Sequence, residues 1–411
     1  MLKKIQTFKN NNPLIFDLLI GLITALLFSA FIYLEEWGIT VRFLNTIFGV
    51  AALGLFLYIS KRAVLVAGFF VGLLWFYWIG YSFEYNGVGF LTPVITFAFA
   101  VIYMLFFGVL AFTDKVYIRA ILLFVLSFVE PFDWNWLQIE LVFVDSYIGI
   151  FKYQLFFVLA ALSLPNYLKI KYKAASLLLL VLALNFNPTI DKVAPLKIKL
   201  VATDISQDRK WLRATQGSTI AKIFKEIKSA KEQGYEVVVF PESVFPLFMN
   251  KSPRLMDKLL ELSQDITIIA GSLFKANGNN YNVTYMFQDK KFEMAKKLVL
   301  VPFGEYIPLP KFAQKIINDY FFAGQADFST AKAPTDFMIK GIKFRNAICY
   351  EATCQEIYEG DVDYVIAISN NAWFAPSIEP TIQKLLMRYY ARKNATTIYH
   401  SANYKGTGII R

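Results

Sequence analysis

The side chains best suited to covalent chemistry lie in residues 344–355, which read FRNAICYEATCQ. The chain has two cysteines, and both Cys349 and Cys354 lie in this segment. Cys349 ends an apolar run and is followed at once by a tyrosine and a glutamate. A cysteine attacks as its thiolate, so a nucleophilic Cys349 needs a base and a cation beside it. The alternative is a small buried hydrophobic side chain, which is the role we expect for Cys354.

Few side-chain types remain that could activate this cysteine. The chain has one histidine, His400, for which we expect a structural role, and a single histidine argues against a zinc site or a Ser-His-Asp triad. Two cysteines cannot form a disulfide framework or a four-thiolate site, and we expect no metal and no cofactor. A carboxylate can take the thiol proton when burial raises its pKa. A lysine ammonium can stabilise both the thiolate and the oxyanion of a tetrahedral intermediate.

Carboxylates and lysines of this kind follow strand-like runs in the second half of the chain. Glu242 follows VVVFP, Glu305 follows KKLVLVPFG, and Cys349 follows NAI. Chemistry in layered α/β folds collects where strands end, so we expect these side chains at one sheet edge. Lys296 and Lys297 are adjacent, and strand alternation places only one of them on the inner face without saying which. The strand-like runs are residues 197–205, 236–243, 266–274, 281–287, 296–303, 342–351 and 363–370, and the helix-like runs are 216–233, 252–264, 311–321 and 379–396.

The long apolar runs are concentrated before residue 190, in a chain that is 56% hydrophobic and 17% aromatic. This composition is too apolar for an ordinary soluble protein of 411 residues. We therefore expect a helical membrane domain at residues 1–193 and an α/β domain at residues 194–411. One membrane span needs roughly 20 apolar residues. The seven candidate spans are residues 14–34, 43–60, 63–83, 90–112, 117–131, 149–167 and 173–188.

The charges between these spans indicate the orientation of the chain. Lysine and arginine are concentrated at the N-terminus and in alternate loops, so the positive-inside rule places the N-terminus in the cytoplasm and residues 194–411 outside. The net charge of +11 indicates orientation and anionic lipid rather than nucleic acid, because no basic-aromatic cluster is present. Transport is disfavoured, because the middle of each span is almost entirely apolar. Tryptophans near the outer ends of the spans indicate an aromatic belt: Trp37, Trp75, Trp78, Trp134 and Trp136.

Four motifs follow the multi-span part in order: VVVFPES, KKLVLVPFGEYIPL, AICYE and ISNNAWF. Together they resemble the apolipoprotein N-acyltransferase family, bacterial inner-membrane enzymes of the nitrilase (carbon–nitrogen hydrolase) superfamily. The resemblance covers most of the chain and implies a multi-span α-helical membrane domain joined to an αββα nitrilase-like sandwich that faces the periplasm. Family members usually continue with the end of the sandwich and a final span, whereas this chain stops at NYKGTGIIR. We therefore expect the last strand and an eighth span to differ from the family pattern.

Matched motif by motif, the resemblance implies roles for particular residues of this chain. It implies a catalytic Glu-Lys-Cys triad of Glu242, Lys297 and Cys349, since the family's lysine lies five residues before the proline of VPFGE. The residues implied to support the site or contact substrates are Glu305, Tyr350, Glu351, Trp211, Asn371 and Trp373. The chain departs from the family pattern at Asn371, which stands where the family has an aspartate.

The reaction implied by the resemblance has two steps. The cysteine takes an acyl chain from a phospholipid as a thioester and passes it to the α-amino group of a diacylglyceryl-cysteine at a lipoprotein N-terminus. The implied partners are a phospholipid acyl donor, a diacylglyceryl apolipoprotein acceptor and the lipid bilayer, with no nucleic acid, and we expect a monomer. The alternatives are a membrane-tethered nitrilase-type amidase that uses water as acceptor, and a transport or binding protein without catalysis. Seven spans argue against the tethered amidase, because a tether needs only one.

Overall fold

The computed structural model describes residues 2–186, 192–302, 305 and 328–411. The chain divides into two compact units, of which the first comprises Met1–Gly80 and Gly89–Pro188 and the second comprises Tyr81–Val88 and Thr189–Arg411. The short segment Tyr81–Val88 therefore interrupts the first unit in sequence but belongs to the second. The expected domain boundary between residues 193 and 194 stays a prediction, and the predicted helix at 311–321 lies outside the described residues.

The first unit is helical, and its helices overlap all seven apolar runs of the sequence. Two helical stretches in the described ranges, Pro13–Glu36 and Gly89–Phe112, are long and apolar enough to cross a bilayer, and the bent pair Lys61–Phe76 and Ile79–Tyr85 would make a third. The number of crossings stays a prediction. The α-helices are α1 (Leu2–Asn11), α2 (Pro13–Glu36), α3 (Arg42–Tyr58), α4 (Lys61–Phe76), α5 (Thr92–Gly108), α6 (Val116–Leu126), α7 (Lys152–Ser163), α8 (Lys173–Ser176) and α9 (Leu179–Leu182).

Close helix packing in the first unit depends on small residues. A Cβ at Gly68 or Gly72 of α4 would lie 2.6 Å from the Tyr103 carbonyl oxygen or 2.8 Å from that of Phe99, both on α5. Glycines four residues apart therefore let the two helix backbones meet, as is common where lipid supplies no hydrophobic driving force between helices.

The tryptophans of the expected aromatic belt are mostly buried, so that interpretation is wrong for four of the five. Trp37 is 68% exposed, whereas each of the others is at most 4% exposed. The Trp75 indole N–H donates to Ser29 Oγ at 3.0 Å, and the Trp134 and Trp136 rings pack with centroids 5.4 Å apart. These rings therefore contribute to the packing of the first unit, because large aromatic side chains bury much apolar surface. A buried Trp N–H usually has a hydrogen-bond partner, as that of Trp75 does.

The second unit contains two mixed five-stranded sheets within the described ranges. The first has the order β1-β2-β3-β4-β5 and the second the order β10-β9-β8-β7-β6. Strands β1, β2 and β3 run parallel, as do β7, β8 and β9, and the other pairs are antiparallel. The strands are β1 (Ile198–Leu200), β2 (Val237–Val239), β3 (Thr267–Ala276), β4 (Asn279–Gln288), β5 (Lys291–Lys296), β6 (Asp336–Ile339), β7 (Ile342–Ile348), β8 (Tyr364–Asn370), β9 (Thr397–Asn403) and β10 (Gly408–Ile410).

Two hydrophobic cores lie between layers of this unit. Val237 and Val239 of β2 face the other sheet, where they join a core with Ile348 and Ile368. Val238, between them, faces the opposite way and packs with residues of α11 (Arg213–Glu232) and α12 (Pro253–Leu262). Successive side chains of a strand point to opposite faces, and both faces of β2 are buried. Every position must therefore be apolar, which explains the continuous apolar run VVVF. The helix α13 (Glu379–Asn394) packs against β9 and β10.

The layers are therefore helix, sheet, sheet and helix, as the nitrilase-like αββα sandwich requires. The strand expected at 296–303 is wrong in position, because β5 ends at Lys296. Strands β6, β9 and β10 were not expected from the sequence. The segment TIYHSAN forms β9 because it lies between β8 and β10 and is buried at every position.

Candidate active site

Three of the expected side chains meet where strands of the two sheets end. Glu242 follows β2, Lys297 follows β5, and Cys349 follows β7. The Lys297 Nζ lies 4.0 Å from Glu242 Oε1 and 2.7 Å from each carboxylate oxygen of Glu305. Lys297 is 1% exposed and Glu242 is 7% exposed, so both side chains are shielded from water. Charge interactions are stronger in such an interior than in water.

The Cys349 thiol lies in a field of mixed sign. Burial raises the pKa of the thiol well above its usual value, the Glu242 carboxylate raises it further, and the Lys297 ammonium lowers it. The resting thiol is therefore protonated, and it needs a base to become a nucleophile. For Lys297 burial lowers the pKa, but the Glu305 and Glu242 carboxylates outweigh burial and raise it, so the side chain is a cation.

Two turns with unusual backbone geometry present the Glu242 carboxylate and the Cys349 thiol. Cys349 has φ +57° at the start of a short helix, Cys349–Thr353, and Ser243 has φ +48° directly after Glu242. Non-glycine residues seldom adopt this left-handed conformation, and such strain clusters at functional sites. The turn after Glu242 lies directly on Gly271 of β3, where a Cβ would be 2.4 Å from Ser243 N.

Glu351 connects the lysine segment to the cysteine segment. Its Oε1 accepts hydrogen bonds from the backbone N–H groups of Leu298 and Val299, the latter at 3.0 Å, and its Oε2 accepts from Ile348 N at 2.6 Å. Burial raises the pKa of Glu351 to about 7, although Lys297 and the three N–H donors favour the carboxylate. The side chain thus fixes the position of residues 298–299 relative to the end of β7.

Of the two adjacent lysines, the structure places Lys297 and not Lys296 in the site. The Lys296 ammonium lies 4.1 Å from the centroid of the Tyr281 ring, on the other side of the strand. The Lys297 backbone N–H donates to Asn282 O at 2.9 Å, which continues the pairing of β4 one residue past β5. Alternation along the chain therefore separates the two side chains, as expected, and the tertiary contacts select one of them.

The other expected residues are divided between the buried site and its surface. Tyr350 is 3% exposed and Asn371 is 1% exposed, whereas Trp211 is 40% exposed at the end of α10 (Gln207–Lys210). Trp373 packs edge-to-face on Tyr85 with ring centroids 5.6 Å apart, and the Tyr85 O–H donates to Ala372 O at 3.5 Å. Tyr85 belongs to the segment Tyr81–Val88, which explains why that segment groups with the second unit.

The sequence did not single out several buried residues of the site. Lys210 Nζ donates to Glu242 O at 3.0 Å, and burial lowers the pKa of this lysine to about 8. Asn282 Nδ2 donates to Glu242 Oε1 at 2.6 Å, and Gln383 Nε2 donates to Cys349 Sγ at 3.8 Å. The only sequence signal for Lys210 was its place in QDRKW beside Trp211, and no pattern indicated Asn282 or Gln383 as residues of this site.

His400 and Cys354 lie outside this chemistry. The His400 ring nitrogens contact Gly406 O at 2.9 Å and Ser369 Oγ at 2.8 Å, and the ring is fully buried, as expected for a structural histidine. Cys354 is 3% exposed and its S–H donates to Tyr350 O at 3.4 Å. Within the described ranges, no group of three His, Cys, Asp or Glu side chains could hold a metal ion.

Comparison with protein families matches both halves of the chain. Residues 15–186 match the apolipoprotein N-acyltransferase integral membrane domain, and residues 204–404 match the carbon-nitrogen hydrolase family. The chain is therefore an integral membrane protein of the bacterial inner membrane with a carbon-nitrogen hydrolase fold.

Similar proteins extend over nearly the whole chain. An apolipoprotein N-acyltransferase of Wolinella succinogenes is 40% identical over 95% of this chain and 95% of its own length. That of Campylobacter jejuni is 34% identical over 98% of this chain and 91% of its own. Among solved structures, XC1258 of Xanthomonas campestris, a carbon-nitrogen hydrolase superfamily protein, covers 51% of this chain and 76% of its own with a TM-score of 0.39 and 12% identity. The chain belongs to the apolipoprotein N-acyltransferase family.

Proposed function

We propose that this protein transfers an acyl chain from a phospholipid, through a thioester on Cys349, to the N-terminal α-amino group of a diacylglyceryl-cysteine apolipoprotein. The main support is the meeting of Glu242, Lys297 and Cys349 at three strand ends, with the lysine 4.0 Å from the glutamate. A base, a cation and a thiol are the groups that acyl transfer through cysteine requires. The membrane domain, and relatives named apolipoprotein N-acyltransferase, support lipid-linked molecules as both the acyl donor and the acceptor.

In the first step, the Glu242 carboxylate takes the Cys349 proton as Sγ attacks the ester carbonyl carbon of the phospholipid. The Lys297 ammonium and the Tyr350 backbone N–H stabilise the oxyanion that forms. When the ester C–O bond breaks, the proton passes from Glu242 to the leaving glycerol oxygen. A lysophospholipid leaves, and the acyl chain remains on sulfur as a thioester.

In the second step, the uncharged α-amine of the acceptor attacks the thioester carbon. Glu242 takes one proton from the amine and gives it to the Cys349 sulfur as the C–S bond breaks, so the amide forms and the thiol is regenerated. A free α-amino group has a pKa of about 7.7–8.0, so a useful fraction is uncharged near neutral pH.

The supporting residues act by position. Glu305 holds Lys297 through both carboxylate oxygens, and Glu351 fixes the backbone on either side of the site. Trp211 and Trp373 offer partly exposed aromatic surface of the kind that acyl chains contact. The pattern of loop charges supports a cytoplasmic N-terminus and a periplasmic catalytic domain, and we propose a monomer, which light scattering in detergent would test.

The test is the intact mass of the detergent-purified protein after incubation with a phospholipid, beside Cys349→Ser and Cys354→Ser. We expect a gain of one acyl chain that neutral hydroxylamine removes, present in the native chain and in Cys354→Ser and absent in Cys349→Ser. Addition of a diacylglyceryl-cysteine peptide should then release the adduct as an N-acyl peptide. Release of free fatty acid with no acylated peptide would instead indicate the membrane-tethered amidase. An unmodified native chain would contradict the proposal.

A further inference from the structure

Gln383 contacts the sulfur of Cys349 although none of the four motifs contains it. It lies on α13 and is 0% exposed, and its Nε2 is 3.8 Å from Cys349 Sγ. Its Oε1 accepts a hydrogen bond from Asn371 Nδ2 at 3.1 Å. Asn371 Nδ2 also donates to the backbone oxygen of Lys405 at 2.9 Å. A chain of two side-chain amides thus runs from a backbone carbonyl to the nucleophile.

The direction of this chain follows from the one group that cannot be reversed. The oxygen and nitrogen of an amide side chain look alike, but a backbone carbonyl can only accept. Asn371 must therefore turn its NH₂ group toward Lys405 O, and the same NH₂ group faces Gln383. Gln383 must then accept through Oε1, so its own NH₂ group points at Cys349 Sγ.

We propose that Gln383 is a further catalytic residue that stabilises the Cys349 thiolate through a hydrogen bond from Nε2, and that Asn371 is a positioning residue that orients it. This inference deepens the proposed function, because it concerns the activation of the same thiol. A neutral donor favours the thiolate and adds no charge to a buried site.

The charges around the thiol make such a donor valuable. The carboxyl groups of Glu242, Glu379 and Glu305 raise the pKa of the thiol, whereas Lys297 lowers it. Lys210 also lies within electrostatic range of the thiol. Glu379 is four residues before Gln383, on the same face of α13, and it is 1% exposed. Burial raises the pKa of Glu379 well above its usual value, so its carboxylate opposes the thiolate only above that raised pKa. One helix therefore presents two neighbouring groups with opposite effects on the thiol, and above that pH Glu379 provides an internal control.

The test is the rate of alkylation of Cys349 by iodoacetamide as a function of pH, measured on the full-length protein in detergent. Peptide mass separates Cys349 from Cys354. In Gln383→Leu, which loses the donor without adding charge, the midpoint should rise by about one pH unit. In the isosteric Gln383→Glu it should rise further, because a carboxylate cannot donate and also repels the thiolate. In Glu379→Gln it should fall. A purely structural role would change thermal stability without moving the midpoint.

Asn371→Asp tests the positioning role. A carboxylate at residue 371 cannot donate to Gln383 Oε1, so Gln383 would reverse and direct its oxygen at the sulfur. Because the new charge also acts on the thiol directly, the change is made in the native chain and in Gln383→Leu. We expect a larger rise of the midpoint in the native background, since coupled residues are not additive.

Two results would overturn the inference. An unchanged midpoint in folded Gln383→Leu would remove the hydrogen bond from the mechanism. An equal shift for Asn371→Asp in both backgrounds would leave only its charge and remove the positioning role. The alkylation experiment needs no lipid, so failure to form an acyl-enzyme would contradict the proposed function and leave this inference standing.

Discussion

Replacing Gly271 by alanine tests whether the backbone position of Glu242 governs the reaction. A Cβ at residue 271 would lie 2.4 Å from Ser243 N, 2.7 Å from Glu242 Cα and 2.9 Å from the Glu242 carbonyl carbon. All three are backbone atoms, so no side-chain rotation can relieve the clash. Ordinary van der Waals contact begins at 3.4 Å, and the turn must therefore move by about 1 Å.

This displacement should be costly because Glu242, the proposed base, is held from several sides. Asn282 donates to the Glu242 carboxylate at 2.6 Å, and Lys210 donates to its backbone oxygen at 3.0 Å. A misplacement of about 1 Å can lower a rate by roughly 100-fold, which corresponds to about 3 kcal/mol in the activation barrier. Overpacking of this kind also lowers the free energy of unfolding by about 1–3 kcal/mol.

The assay is the rate of thioester formation on Cys349, followed by intact mass, together with the thermal midpoint of the same sample. Gly217→Ala in α11 is the matched control, because a Cβ there meets no atom within 4 Å apart from its chain neighbours and the nearby backbone of its own helix. It should keep the native rate and gain up to about 1 kcal/mol of helix stability. If folded Gly271→Ala formed the thioester within about threefold of the native rate, the argument from backbone position would be refuted.

Three further predictions follow from the same contacts. Glu351→Gln replaces an acceptor of three backbone N–H groups by an amide whose own NH₂ group would face one of those donors. The rate of thioester formation should therefore fall at least about tenfold, and the free energy of unfolding by about 1–3 kcal/mol. A native rate together with an unchanged thermal midpoint would contradict this prediction. Burial lowers the pKa of His400 to about 4, whereas an unfolded histidine has a pKa of about 6.5. Between these two pH values the unfolded chain binds a proton on His400 and the folded chain does not. Stability should therefore fall by about 3 kcal/mol as the pH drops through that range, and His400→Gln should lose this dependence in thermal melts at pH 7 and pH 5. Because burial lowers the pKa of Lys210 to about 8, Cys349 alkylation should show an inflection near pH 8 that Lys210→Met lacks, and an identical pH profile would count against an electrostatic role.

The sequence predicted the parts of the site that depend on local order along the chain. Glu242 and Cys349 each follow a buried strand, as the sequence predicted. The expectation of one shared sheet edge was wrong, because β2 and β7 belong to different sheets and the packing of the two sheets brings these strand ends together. Lys297 was separated from Lys296 by the resemblance to the family and not by the strand pattern. Side-chain alternation along the strand allowed either Lys296 or Lys297 to face the site, and only the contacts of each side chain in the structure distinguish them.

The parts that were missed depend on residues distant in sequence. Gln383 reaches Cys349 across 34 positions and Asn282 reaches Glu242 across 40, so neither contact leaves a local pattern. Strand β9 was missed because the segment TIYHSAN acquires its role only between two neighbouring strands. Burial of Trp78 and Trp136 was missed because their place at the ends of apolar runs is equally compatible with a lipid-facing belt.

The sequence by itself determined the division into an apolar helical part and an α/β part, since hydrophobic periodicity and charge are properties of neighbouring residues. It also determined which side chains are chemically able to form a thioester, because the chain offers two cysteines and one histidine. The tertiary structure alone showed the distance at which Glu242 and Lys297 lie from each other, and it alone identified the Gln383 amide beside the thiol. These contacts depend on distances of a few ångströms between separate strands and helices, and the desolvation that shifts the pKa of Cys349 exists only after the layers have packed.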